Sequence, residues 1–312
     1  MPVYVGLDAG GTKTRLRAED EAGNILAEAV AGPANLATTP EPAWQAALAE
    51  LAAQCPPADF VAGCFAGLLT KADEERAITA LRRHFPTAQH AAWPDYAATV
   101  AAAPEGTTAV VIAGTGSVIA SMVDGKIVKS GGGGPLLGDG GSAFDVGRSC
   151  IRKMLLGPKR LPVSEPTWKA IEMAFGTRDP EEIVAAIYRH PNPVAALASL
   201  APAFFEEARC KSRVGSTAIS TVAFQAINCA DHVEVHFPNL RNWQIVLAGG
   251  VWKSYERVAM EYEEDLKLMA IGPRKKNKYR FHKVKVEVKI LDPDPVDGAV
   301  ILARKLAMPE TP

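Results

Sequence analysis

Apolar and polar positions follow two periods along the chain, and the switches between them outline its elements. Val3-Tyr4-Val5-Gly6-Leu7-Asp8 is an apolar, β-prone run, Thr14-Arg15-Leu16-Arg17-Ala18 alternates, and Ile25-Leu26-Ala27-Glu28 completes a three-strand start. The turns between them are Ala9-Gly10-Gly11-Thr12-Lys13 and Glu21-Ala22-Gly23-Asn24. Ala and Leu at helical spacing predict a helix over 42–54, and 60–66 reads as a short buried strand. Residues 72–85 form an amphipathic pattern with Glu74 and Glu75 early and Arg82 and Arg83 late, the order a helix dipole favours. A strand near 88–93 then reaches Trp93-Pro94-Asp95, and a helix follows through about Ala103.

A second start repeats this logic. Thr107–Ala113 is an apolar strand, Gly114-Thr115-Gly116-Ser117 a turn, and Val118–Val123 a returning strand, which points to an internal duplication. The glycine-rich stretch 131–141 follows, then helices near 142–156, 165–175, 180–189, 194–211 and 215–232. Gln244–Ala248 is a strand ending in Gly249-Gly250, 255–269 a helix, 283–291 an alternating strand, and 296–306 a closing helix. Strands and helices interposed in two similar halves define an α/β chain with mixed sheets.

Composition narrows this picture. With 312 residues, 48% of them hydrophobic, the chain can bury a sizeable core in two domains. Its 34 basic and 35 acidic residues cancel, which argues against a nucleic-acid binder. The longest charge-free runs, 106–123 and 214–230, are broken by Gly, Thr, Ser, Gln and Asn, so no membrane association is expected. Five scattered cysteines (Cys55, Cys64, Cys150, Cys210, Cys229) without a Cys-x-x-Cys pair read as reduced, mostly buried thiols. Met1–Val5 enters a strand directly, without a basic region or an apolar signal core, and a cytoplasmic protein is expected.

The candidate chemistry lies in the glycine turns. In Asp8-Ala9-Gly10-Gly11-Thr12-Lys13-Thr14, two glycines let backbone N–H groups converge, Thr12 and Thr14 add hydroxyl donors, and Asp8 can hold a hydrated Mg²⁺ beside phosphate. An ordinary hairpin tip is the other reading. Gly114–Ser117 offers a second such turn. Gly249-Gly250, followed by Val251-Trp252-Lys253-Ser254, is a third, flat enough for a purine. Three glycine turns at strand ends suggest one nucleotide spread across a cleft.

These segments resemble a known family. Asp8-x-Gly-Gly-Thr-Lys-Thr, Gly32-Pro33-Ala34-Asn35-Leu36, Gly114-Thr115-Gly116-Ser117, Leu136-Leu137-Gly138-Asp139-x-Gly-Ser142, Gly249-Gly250-Val251-Trp252-Lys253-Ser254 and Asp294-Pro295-Val296-Asp297-Gly298-Ala299 occur in that order. Together they look like the N-acetylglucosamine kinase and BadF-BadG-BcrA-BcrD ATPase branch of the sugar kinase/Hsp70/actin superfamily.

The resemblance implies two ribonuclease H-like domains with mixed sheets and a nucleotide cleft between them. Residues 1–104 would form the first, 105–295 a larger second, and 296–312 a helix returning to the first. It implies that Gly10, Gly11, Thr12, Lys13, Thr14, Gly114, Thr115, Gly116 and Ser117 grip the ATP phosphates, and that Asp8 serves Mg²⁺ through water. Gly249, Gly250 and Ser254 would lie by adenosine, and Asn35, Asp95, Thr115, Gly138 and Asp139 by the sugar. The activity implied is ATP-dependent phosphorylation of an amino sugar, N-acetylglucosamine or glucosamine, at the 6-hydroxyl by a homodimer. The alternatives are an ATPase that activates a partner enzyme, or a kinase of another hexose or of N-acetylmuramic acid.

Asp95 is the expected general base, because phosphoryl transfer needs one carboxylate to orient the acceptor hydroxyl and take its proton. An aspartate between Trp93-Pro94 and Tyr96-Ala97-Ala98 is equally an N-cap, and the two roles are compatible. Asp139 can chelate sugar hydroxyls or shape its loop as an Asx-turn. Asn35 offers a donor and an acceptor to a hydroxyl or acetamido group, or serves as a turn residue. The chain departs from its relatives at Gly133 and Gly140, where they carry Trp and Glu.

Outside these motifs, the basic run 274–283 reads as a solvated loop, and the six histidines lack zinc-ligand spacing. Trp168, Met173, Phe175, Phe204 and Phe205 are expected in the core.

Overall fold

The computed structural model describes residues 1–155, 161–254, 284–291 and 294–308, with the single positions 260, 263, 264 and 267. Two compact units emerge: Met1–Glu105 with Pro293–Pro312, and Gly106–Asp292.

The first unit contains β1 (Tyr4–Ala9), β2 (Thr14–Glu19), β3 (Ile25–Ala31), α1 (Glu41–Ala53), β4 (Phe60–Phe65), α2 (Lys71–His84), β5 (Gln89–Pro94) and α3 (Tyr96–Ala101). Its sheet runs β3-β2-β1-β4-β5. The hairpin pairs β1–β2 and β2–β3 are antiparallel, while β1–β4 and β4–β5 are parallel. Alternation sets the faces of β2: Thr14, Leu16 and Ala18 are buried, and Arg15, Arg17 and Glu19 are half-exposed. Trp44, Leu48 and Leu51 of α1 pack with Val61, Phe65 and Leu81 in the core. Thr70 and Asp73 close a capping box at the start of α2.

The C-terminal helix, Pro295–Leu306, completes this unit. It approaches so closely that a Cβ on Gly298 would collide with the Ala98 carbonyl of α3, and one on Gly6 of β1 with Val300. Arg304 donates to Glu19 and to the Asp20 carbonyl and lies 4.7 Å over the Tyr4 ring centroid.

The second unit repeats the sheet. Strands β6 (Ala109–Ala113), β7 (Ser117–Val123), β8 (Lys126–Gly131), β9 (Asn242–Ala248) and β10 (Lys285–Ile290) run in the order β10-β9-β6-β7-β8. Three antiparallel strands beside two parallel ones reproduce the first unit's pattern. The duplication expected from the two strand–turn–strand starts is therefore present in the fold. The helices are α4 (Gly134–Leu137), α5 (Ala143–Leu155), α6 (Glu165–Phe175), α7 (Pro180–Arg189), α8 (Pro193–Ala198), α9 (Ala201–Arg209), α10 (Arg213–Ala223), α11 (Gln225–His236) and α12 (Gly250–Ser254).

Several expectations need correction. The segment 194–211 is two helices, because Pro202 lacks the N–H that would continue the ladder, and a new helix starts there. The helix expected over 215–232 divides at Phe224, where Ile227 N donates to the Phe224 carbonyl at 3.3 Å. Strand β8 was hidden in a run too short to show its period. Met173 is exposed rather than core, whereas Phe204 and Phe205 are fully buried. All five cysteines are free, with Cys210 exposed and Cys55 partly so. The helix expected over 255–269 lies largely outside the described residues, and the basic run 274–283 wholly outside them.

Candidate active site

In the first unit the candidate residues gather at the carboxyl ends of β1, β4 and β5, the edge where parallel α/β sheets bind ligands. Asp8 lies opposite Cys64 in register, and Cys64 lies opposite Trp93, two residues before Asp95. Burial pushes the Cys64 thiol far up, and the Asp8 and Asp95 carboxylates add to that shift. The two aspartates singled out by sequence thus flank one buried thiol.

Asp95 is exposed, and its Oδ1 accepts the Tyr96 N–H at 2.9 Å. Its own N–H donates to the Phe65 carbonyl at 3.1 Å, which ties the strand-to-helix corner to β4. Asp95 has helical backbone angles, φ −54° and ψ −38°, so it caps α3 through the adjacent N–H rather than from an extended N-cap. Asp8 accepts from Arg15 at 3.0 Å, and Arg15 also donates to Asp294 at 2.9 Å. Arg17 pairs with Glu28 and Asp297 beside it.

The first turn is closed by Gly10 N donating to the Lys13 carbonyl at 3.0 Å, and Gly11, Thr12 and Lys13 are exposed. Thr14 is fully buried, and its hydroxyl donates to the Gly32 carbonyl at 2.8 Å. Thr14 thereby fixes the turn against the following loop. Ala34 N donates to the Gly10 carbonyl, which brings Asn35 to the turn. Asn35 Oδ1 accepts from Ala37 N at 2.9 Å and Thr38 N at 3.1 Å, while its Nδ2 lies 3.8 Å from where a Gly11 Cβ would stand. The amide presents its donor end towards the turn.

The second unit builds a matching turn. Gly114 N donates to the Gly116 carbonyl at 2.9 Å, and Thr115 is exposed. Ala143 N and Phe144 N at the start of α5 donate to the Gly114 and Thr115 carbonyls at 2.8 and 3.3 Å. Ser117 occupies the place of Thr14: its buried hydroxyl donates to the Gly140 carbonyl at 2.8 Å and accepts from Gln225 Nε2 at 2.8 Å. Its hydroxyl is likewise used within the fold.

Asp139 takes the place of Asn35. It sits at φ +56°, a left-handed position that aspartate tolerates better than most residues. A Cβ on Gly116 would come within 2.8 Å of its Oδ2, so the carboxylate lies against this turn. Burial raises the Asp139 carboxyl, opposed by hydrogen bonds from the Ser117 and Gly134 backbones. Gly138 caps the end of α4 just before it.

Gly249, at φ +103°, has no room for a side chain because a Cβ would collide with the Ala113 carbonyl at the end of β6. Gly250 is exposed, and Ser254 Oγ donates back to the Gly250 carbonyl at 2.7 Å.

Sequence reasoning missed Arg15 and Gln225. Alternation in β2 put Arg15 on the outer face, but nothing local announces Asp294, 279 positions away. No cluster of three or more metal-ligating side chains occurs among the described residues. Asp8 has one oxygen on Arg15, and a single carboxylate acting through water beside phosphates is a donor set that suits Mg²⁺.

The chain thus consists of two like α/β units, each with a five-stranded mixed sheet, a glycine turn and a polar residue docked on it. Residues 5–267 match the model of the BadF/BadG/BcrA/BcrD ATPase family, and the chain belongs to that family. No curated protein matches the sequence. Among solved structures, a Porphyromonas gingivalis protein described as a candidate N-acetylglucosamine kinase has a TM-score of 0.68 and 19% identity, covering 99% of this chain and 100% of its own. A Chromobacterium violaceum protein described in the same way has a TM-score of 0.67 and 21% identity, covering 97% and 99%. A ROK family glucokinase from Streptomyces griseus, in complex with glucose and AMPPNP, has a TM-score of 0.59 and 16% identity, covering 97% and 99%.

Proposed function

We propose that the protein transfers the γ-phosphoryl group of ATP to the 6-hydroxyl of an amino sugar, N-acetylglucosamine or glucosamine, with Asp95 as general base. The observation that carries this reading is the placement of Asp8 and Asp95 on either side of Cys64 at one strand edge. One carboxylate is held by a guanidinium, and the other is exposed at a rigid corner.

Asp95 accepts the proton of the acceptor hydroxyl as its oxygen bonds to the γ-phosphorus and the bond to the β-phosphate oxygen breaks, releasing ADP. The two turns, Gly10, Gly11, Thr12 and Lys13 in one and Gly114, Thr115 and Gly116 in the other, cradle phosphate oxygens. Thr14 and Ser117 keep the two turns in shape. A hydrated Mg²⁺ beside Asp8 would offset phosphate charge. Gly249, Gly250 and Ser254 lie by adenosine, while Asn35 Nδ2, Thr115, Gly138 and Asp139 bind the sugar. The working form is a cytoplasmic homodimer.

Phosphorus NMR of the product formed from ATP and each sugar tests this reading. A sugar 6-phosphate supports it. ATP hydrolysis without a phosphorylated sugar would instead indicate an ATPase that drives a partner.

A further inference from the structure

The second unit holds a cavity of about 450 Å³ that runs from Asp139 along one face of α11. Gln225, Asn228, His232 and Val235 of α11 line it. Ten positions of helix separate Gln225 from Val235, a length of about 15 Å. One end is the turn already described, where Gln225 meets Ser117. At the other, His232 bonds Ser130 of β8, and Asn228 and Val235 open to solvent. An enclosed cavity of roughly 150 Å³ suffices for one six-membered ring, so this one has room for a second ring beyond the acceptor. Gly140 also lines it, and a Cβ there would meet nothing within 4 Å, so no side chain fills the space.

The lining chemistry narrows the occupant. No lysine or arginine lines the cavity. Lys129 of β8 turns its ammonium towards the Gly132 carbonyl. Ser121 donates its proton to the Thr108 carbonyl, so His232 Nε2 donates to Ser121. Burial, with His236 beside it, holds the His232 pKa down to about 4, so the imidazole is neutral near pH 7 and its Nδ1 accepts from Ser130. Two carboxylates, Asp139 and Asp231, line the cavity and disfavour an anion although Lys129 lies near enough to act on Asp139, whereas the Asn228 amide can both donate to and accept from hydroxyls.

We infer that the outer part of this cavity binds a neutral, hydroxyl-bearing ring linked to the acceptor, so that the protein phosphorylates a neutral amino-sugar disaccharide at least as well as the single sugar. This rests on the kinase reading above.

The test compares kcat/KM for N-acetylglucosamine and its β-1,4-linked dimer in the wild type, Val235→Phe and Asn228→Ala. Val235 is 72% exposed, so the larger side chain is accommodated without disturbing the core. The wild type should favour the dimer, and each variant should lower the dimer-to-monomer ratio of kcat/KM by about tenfold. A monomer that reacts while the dimer neither reacts nor competes, or a ratio unmoved by both variants, overturns the subsite alone. Failure to phosphorylate any sugar overturns the kinase reading and the subsite with it.

Discussion

The Arg15 guanidinium donates to Asp8 at 3.0 Å and to Asp294 at 2.9 Å, so one cation joins the end of β1 to the N-cap of the C-terminal helix. Asp8 is thereby oriented by a residue that belongs to neither glycine turn. Arg15→Ala would leave two carboxylates facing each other without their shared partner. It should cost about 1–2 kcal/mol of stability, given partial exposure, and lower turnover about 10- to 100-fold through misplacement of Asp8. Arg15→Lys should fall between, because an ammonium lacks the planar fork that reaches both carboxylates. Urea unfolding and steady-state kinetics on the two variants check this.

Gly298 lies inside a helix, where alanine would ordinarily be favoured by about 1 kcal/mol. Here the sign should reverse, because the new methyl would occupy the position of the Ala98 carbonyl. Gly298→Ala should destabilise by about 1–3 kcal/mol and lower the melting temperature. The helix that moves is the one behind α3, so the corner at Asp95 should shift, and kcat should fall more than nucleotide affinity.

His232 gives the protein a pH dependence with a definite sign. Its pKa is held near 4 in the fold, against an ordinary value of about 6.5 in the unfolded chain. Between those values the unfolded chain binds a proton that the folded one refuses, so stability falls as pH drops through that window. From pH 7 to pH 5 the loss from this residue should be about 2 kcal/mol. His232→Gln should remove that part of the slope, as read from urea midpoints at the two pH values.

Much of this was legible in the sequence where the pattern is local. The strand–turn–strand starts at 4–19 and 109–123 came from alternation and glycine punctuation, and their duplication foretold two like sheets. The Thr14 hydroxyl was read as a ligand donor because side-chain chemistry is visible in sequence and direction is not. In β2 the direction was recoverable, since Thr14 shares the buried face with Leu16 and Ala18. Gln225 and the Arg15–Asp294 contact were not recoverable, because each depends on how distant segments pack. Asp139 was placed correctly in a tight turn, but that its carboxylate lies against Gly116 follows only from the folded loop.

The central claim is that ATP turnover here is phosphoryl transfer to a sugar through Asp95. ADP release should be measured with wild type and Asp95→Asn, with and without N-acetylglucosamine or glucosamine. The wild type should release ADP in a sugar-dependent way, and Asp95→Asn should bind ATP normally but turn over about 10²–10⁴-fold more slowly. Equal ADP release with and without sugar, or near-normal sugar phosphorylation by Asp95→Asn, would contradict it.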